Sequence, residues 1–447
     1  MAPGKQGFMH MPPDAATLAA QRPPIARSHD TGIASARQIV AGAIGNVLEW
    51  YDFAAYGYFA SIFAKNFFPS TNGVVSLASA FGVFAAAFLM RPIGGALFGH
   101  VGDRFGRKQA LVTSAGLMTL STTAIGLLPT YATVGALAPL LLILLRLLQG
   151  LSVGGEFSAS IIFLVERAPP RRRGFLGSFA SFGATTGILV GSGVGAIASW
   201  LLSPAELQDW GWRIPFLLGI LLGGAAFVLR AVMQDEGPGA GQPSGRLPLI
   251  EALEVDWRDI LRGMAACASF AATFYLVFIY LVTMMHQVDG IPVERALQVN
   301  TICMILLVAL TPLAGWLSDR IGRKPVMLAS VLGTIGLAIP LFWLLTHHDP
   351  LVVLAGQALF AVLIAAWGGP MEAMLVELYR GRTRCTALSL SYNTAFALLG
   401  GTSPMIAVYL VSESHLTYGP AYYLMALGAV SLVALLTIPD RSGQPLR

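Results

Sequence analysis

GHVGDRFGRK at 99–108 and GWLSDRIGRK at 315–324 share the pattern G-x-x-x-D-R-x-G-R-K and lie 216 residues apart. Each closes a long apolar run on a short basic loop. A second pair has nearly the same offset. Glu166 and Arg173 are seven residues apart, as are Glu377 and Arg384, and 211 residues separate the two pairs. Two matches at almost one offset mark an internal duplication of half the chain.

Working outward from these loops, apolar runs fall near 38–64, 75–101, 110–128, 135–165, 174–202, 213–233, 260–286, 296–318, 325–346, 351–379, 385–411 and 419–438, six in each copy. A helix that crosses a bilayer needs ~20 apolar residues. Twelve take roughly 240, just over half of the 447 present. Hydrophobic residues make up 55% of the chain and charged residues 11%, against about 25% charged in a soluble domain. That charge cannot cover a water-facing surface, which excludes an ordinary soluble enzyme. The expected fold is all-α: a membrane protein of twelve transmembrane helices in two six-helix repeats, related by an axis along the membrane normal. The Gly-, Pro- and charge-rich stretch 234–259 reads as a linker. The expected organisation is a tail at 1–37, bundles at 38–233 and 260–438 around that linker, and a tail at 439–447, with the first run acting as a signal anchor.

Basic residues set the orientation. With both termini cytoplasmic, 23 of the 28 Lys and Arg residues fall on the inner side; Lys65, Arg213 and Arg295 lie outside, and Arg91 and Arg146 lie within spans. The net charge of +5 is therefore one-sided and needs no nucleic-acid partner. The three cysteines are far apart and suggest neither disulfide nor metal site. No metal or cofactor is expected; the expected partners are lipid, a small-molecule substrate and protons, with the chain acting as a monomer.

The repeated loop resembles the signature of the major facilitator superfamily, between spans two and three and again between eight and nine. GNVLEWYDF (45–53), FLMRPIGG (88–95), RLLQGLSVGGE (146–156) and WGWRIPF (210–216) resemble segments of its metabolite:proton symporter family, which includes proline/betaine, α-ketoglutarate, shikimate and citrate transporters. The resemblance covers nearly the whole chain. It implies uptake of one substrate with one proton by alternating access, in a bacterial-type cytoplasmic membrane.

Ionisable groups inside spans cost ~2.5–3.5 kcal/mol each on insertion scales and mark functional paths. The first half holds a cluster. Span one carries Glu49 and Asp52 on one face, extended by Tyr56. Span two carries Arg91; span four carries Arg146, Gln149 and Glu156. The second half offers aromatic and neutral polar groups instead, among them Tyr275, Tyr392 and Asn393, with Glu372 as an exception. A carboxylate that gains or loses an arginine partner between two states can load and release a proton. Glu49 and Asp52 beside Arg91 are the first candidates for proton coupling, and Glu156 beside Arg146 the next. Arg91, Arg146, Tyr56, Gln149, Tyr275, Asn393 and Glu372 are the candidate substrate-binding residues, because a guanidinium takes a carboxylate in bidentate fashion. The carboxylate would belong to an organic acid or a zwitterion.

Asp103, Arg104 and Arg107, with Asp319, Arg320 and Arg323, sit in loops at the water boundary, and Glu166 and Glu377 face the same layer. These read as a gate that locks the inner face. The glycines of span five read as a close-packing face, and Trp210 and Trp212 as interfacial anchors. No G-x-x-x-x-G-K-[ST], H-E-x-x-H or G-x-S-x-G run occurs, so neither ATP-driven transport nor membrane hydrolysis is indicated. Proton-driven efflux is the alternative within transport, disfavoured because span five lacks a glycine-proline motif. A non-transporting receptor is the alternative outside it.

Overall fold

The computed structural model describes residues 36–105, 107–154, 156–232, 248–287, 290–381, 383–414 and 416–446. The side chains of Asp103, Arg104, Arg107 and Glu156, all singled out above, lie outside the described residues. Twelve helical spans follow one another. Span one is Ala36–Tyr58, prolonged by Ala60–Phe67; span two is Gly73–Leu89 and then Arg91–Phe105; span three is Arg107–Leu127. Span four is Leu137–Val153 and Glu156–Glu166, span five Arg173–Leu201 and span six Arg213–Val232. After a short helix at Pro248–Val255, span seven begins at Trp257 and span eight covers Val293–Ile321. Spans nine and ten are Arg323–Leu345 and Pro350–Leu378; span eleven starts at Arg384, and span twelve is Gly419–Thr437.

Polarity is arranged for lipid. Large apolar side chains such as Leu120, Trp200, Leu221 and Leu351 are exposed, while Glu49, Asp52, Arg91, Arg146 and Glu372 are buried. A soluble protein has the reverse order. Trp210 is exposed as an anchor would be, but Trp212 is not. It is buried among Phe63, Phe67 and Phe216, because the two indoles project on different sides of the π-helical turn Leu207–Gly211.

The helices that carry charge are irregular in the middle. Span two has a one-residue turn at Met90, just before Arg91, where the backbone stays helical. Span seven has a π-helical turn at Leu276–Tyr280, right after Tyr275, and span eleven has one at Phe396–Gly400. Turns of this kind are rare and occur mostly at functional sites.

Glycines let spans two and four touch backbone to backbone. A Cβ on Gly150 would stand 1.8 Å from the Ala87 carbonyl oxygen, and one on Gly154 would stand 1.9 Å from that of Arg91. Without hydrophobic driving force in lipid, such close approach is how helices associate. The span-five glycines divide. Gly187 and Gly191 meet span one, whereas Gly174 meets Gly315 of span eight. Gly193 has open space around it.

Replacing Gly150 by Ala should destabilise the protein by about 2 kcal/mol, since the contact is with backbone and cannot rotate away. Gly193→Ala should stay within about 0.5 kcal/mol of wild type. Thermal denaturation in detergent, followed by tryptophan fluorescence, compares the two; equal midpoints would contradict the packing described.

Candidate functional site

Arg91 and Glu49 meet at the centre of the molecule. The Arg91 guanidinium is 3.9 Å from a Glu49 carboxylate oxygen, and both side chains are almost wholly buried. Arg91 also lies over the ring of Trp50 at 5.1 Å and that of Phe88 at 5.4 Å. None of its three nitrogens makes a hydrogen bond. Tyr275 packs edge-on to Phe88 at 5.2 Å, and its hydroxyl is buried without a partner. Phe396 completes the aromatic wall, 6.5 Å from Trp50 and 6.3 Å from Tyr275. Residues from both halves thus surround one guanidinium. A buried guanidinium usually fills its fork with hydrogen bonds; this one keeps them available.

Asp52 belongs to a different network from the one the sequence suggested. Thr122 of span three donates to its carboxylate. Gln149 Nε2 donates to Thr122 Oγ1 at 2.7 Å, and Arg146 donates to Gln149 Oε1 at 2.8 Å. Asp52 is thereby tied to Arg146, not Arg91. Although Glu49 and Asp52 share a face, the rotation of about 300° over three residues is enough to direct them to separate partners. Arg146 is clamped over Tyr56 at 4.4 Å and Phe53 at 4.8 Å, and the Tyr56 hydroxyl is spent on the Ala80 carbonyl at 2.9 Å. Tyr56 and Gln149 therefore hold Arg146 in place. Asn393 donates to the Gly154 carbonyl at 3.0 Å, bridging span eleven to span four. Glu372 is buried and accepts a hydrogen bond from Ser181 of span five.

At one end of the helices, charge pairs cross between the halves. Arg384 donates to Glu166 at 2.5 Å, and Arg173 lies 3.9 Å from Glu377. Each acid thus pairs with the arginine of the other copy, not with the one seven residues along. Asp319 accepts from the backbone N–H groups of Gly174 and Phe175 at 2.9 and 2.8 Å, capping span five where its helix dipole is positive. Arg323 links Asp319 at 2.6 Å to Glu377 at 3.2 Å. Arg320 takes no part; it is exposed over the Trp316 ring at 3.9 Å. Arg320 and Trp316, four residues apart, are both exposed on one face of span eight, away from the buried Ser318.

Sequence reading missed Trp50, Phe88, Phe396 and Thr122 as site residues. Trp50 was legible in principle, lying between the two acids in LEWYD. Thr122 gave no signal, because a threonine in an apolar helix ordinarily bonds its own backbone. Arg173 and Arg384 were visible as a repeat but not as partners.

The chain belongs to the major facilitator superfamily, whose family model matches residues 42–401 and again 298–447. It is a multi-pass membrane transporter. It is 33% identical over 424 residues to the proline/betaine transporter of Escherichia coli, covering 92% of this chain and 85% of that protein. It is also 33% identical to the glycine betaine/proline/ectoine/pipecolic acid transporter OusA of Dickeya dadantii over 425 residues, covering 92% of this chain and 84% of that one. The fold is similar to that of the proton:xylose symporter XylE bound to 6-bromo-6-deoxy-D-glucose, with a TM-score of 0.74, 19% identity and coverage of 92% and 97%. For the inward-open conformation of XylE from Escherichia coli the TM-score is 0.67, with 20% identity and coverage of 91% and 97%.

Reversing one end of the crossed pair, by Arg384→Glu, should cut the uptake rate about tenfold, through like charges facing Glu166. The double variant E166R/R384E should regain most of it. Initial rates in proteoliposomes decide this; a double variant no better than the single one would remove the pairing from the gate.

Proposed function

We propose that the chain imports a small carboxylate-bearing metabolite together with a proton, by alternating access of bundles 38–233 and 260–438 around the linker 234–259. The single observation that carries this reading is Arg91: a buried guanidinium, ringed by aromatic side chains from both halves, whose nitrogens donate to nothing. A carboxylate entering this site would supply the bidentate partner that Glu49, at 3.9 Å, does not. Of the substrates consistent with such a group, the names of the relatives favour a zwitterion of the proline or betaine kind.

In this reading Arg91 binds the substrate carboxylate, Tyr275 and Asn393 shape the site from the second half, and Arg146 is held ready by Gln149 and Tyr56. Glu49 competes with substrate for Arg91, so that each arrival of substrate frees a carboxylate to take a proton. Asp52 is the second proton carrier. Its path to Arg146 runs through two side chains, Thr122 and Gln149, and a shift of either span three or span four would break it. The Glu166, Asp319, Arg323 and Glu377 cluster seals the inner face while substrate enters from outside, joined by Asp103, Arg104 and Arg107 of the first copy of the loop. Both termini then lie in the cytoplasm, the membrane is the cytoplasmic membrane of a bacterium, and the chain works as a monomer.

Two variants test the division of roles. Asp52→Asn should abolish accumulation driven by a pH gradient while leaving substrate exchange at equal concentrations within about threefold of wild type, because exchange requires no net proton movement. Arg91→Lys keeps the charge but loses the fork, and should raise the KM for uptake by about 10- to 100-fold. Uphill accumulation by Asp52→Asn together with Glu49→Gln, or accumulation that an uncoupler leaves intact, would contradict proton symport.

A further inference from the structure

Span ten carries one carboxylate that neither the gate nor the Arg91 site uses. Glu372 is wholly buried, and its Oε1 accepts from the Ser181 hydroxyl. Its Oε2 is buried and accepts nothing. Among the described residues, no arginine or lysine pairs with it. The Cys267 thiol of span seven lies 4.0 Å from Met371, the residue before Glu372, and Tyr392 of span eleven is within electrostatic reach of Glu372. An isolated carboxylate away from water is costly unless a proton or a cation neutralises it, and none of the described residues offers a cation.

Tyr392 ties this carboxylate to the main site. It lies within electrostatic reach of both Arg91 and Glu372. It stacks on Phe396 with ring centroids 4.1 Å apart and meets Phe157 at 4.9 Å. Geometry leads to Phe396 from both sides: Arg91 lies over Trp50, whose ring is 6.5 Å from that of Phe396, and Gly368, one turn before Glu372, abuts Phe270, whose ring is 6.0 Å from it. Aromatic faces beside a carboxylate are what an alkylated ammonium group requires.

We infer that Glu372 is the specificity-determining residue for the cationic end of a zwitterionic substrate, its Oε2 facing an ammonium group seated against Tyr392 and Phe396. The inference rests on the reading of Arg91 as the carboxylate site. A zwitterion held in this way joins the two halves at both ends. A plain carboxylate reaches only the first half and leaves Glu372 unmet. Glu372 therefore selects against simple acids as well as for zwitterions.

The test uses the full chain in proteoliposomes and two competitors of the same shape. Glycine betaine carries a quaternary nitrogen, and tert-butylacetate has a neutral carbon in its place. The wild-type protein should prefer betaine by at least about tenfold. Glu372→Gln should abolish that preference, chiefly by weakening betaine, with tert-butylacetate unchanged or tighter. Glu372→Asp should keep its sign, and Ser181→Ala should leave it in place. A Glu372→Gln protein that still prefers betaine would overturn the inference. So would equal weakening of both competitors in Glu372→Gln and Ser181→Ala, which would make the pair a tie between halves. If neither competitor binds the wild-type protein, or if Arg91→Lys binds both as wild type does, the Arg91 reading itself fails and the inference falls with it.

Discussion

A guanidinium held in a dry interior without hydrogen bonds constrains everything around it. Arg91 has a distant carboxylate and two aromatic faces as company, and the fold gives up regularity to keep it so. Span two has a one-residue turn at Met90, just before it. The carbonyl of Arg91 is pressed against Gly154, so span four must lack a side chain there. Spans seven and eleven carry π-helical turns beside the aromatic residues that face it. Such irregular backbone is tolerated at membrane depth where protein surrounds it.

The two charge systems are built differently, and the difference suits their tasks. At the end that carries Glu166 and Glu377, acids and arginines are closely paired, and Arg323 alone reaches two carboxylates and a serine hydroxyl. The central charges have partners at longer range or through intervening hydroxyl and amide groups. A well-satisfied cluster makes one closed arrangement stable, while a loosely satisfied one responds to whatever enters. Asp256, close to the start of span seven, belongs with the first kind. Buried, it pairs with Arg380 at 3.5 Å and accepts from Thr383, fixing the loop that leads into Arg384.

The fold was legible because lipid imposes a simple code. Twelve apolar runs and a duplicated loop suffice for the architecture, and buried acids and arginines stand out against a background with 11% charge. Partner choice was not legible. Glu49 and Asp52 looked like joint neighbours of Arg91, yet a small rotation sends Asp52 to Thr122 and thence to Arg146. Tyr56 and Gln149 were picked as binding residues for their chemistry, but their hydrogen bonds are already committed within the first half. Periodicity along one helix says which residues share a face; it does not say which neighbouring helix that face meets. Arg320 shows the same limit at the end of span eight, where one residue beyond Asp319 the helix presents its side chain to the outside.

The crossed bonds between the halves have a meaning of their own. Glu166 reaches Arg384, and Arg173 lies near Glu377, so the first half gives an acid and takes an acid. That is the reciprocity of an isologous contact in a two-fold dimer, where residue i touches j and j touches i. One half-length unit facing a copy of itself already holds both ends of both bonds. The arrangement is thus encoded once and read twice, and a change to a single copy breaks its symmetry.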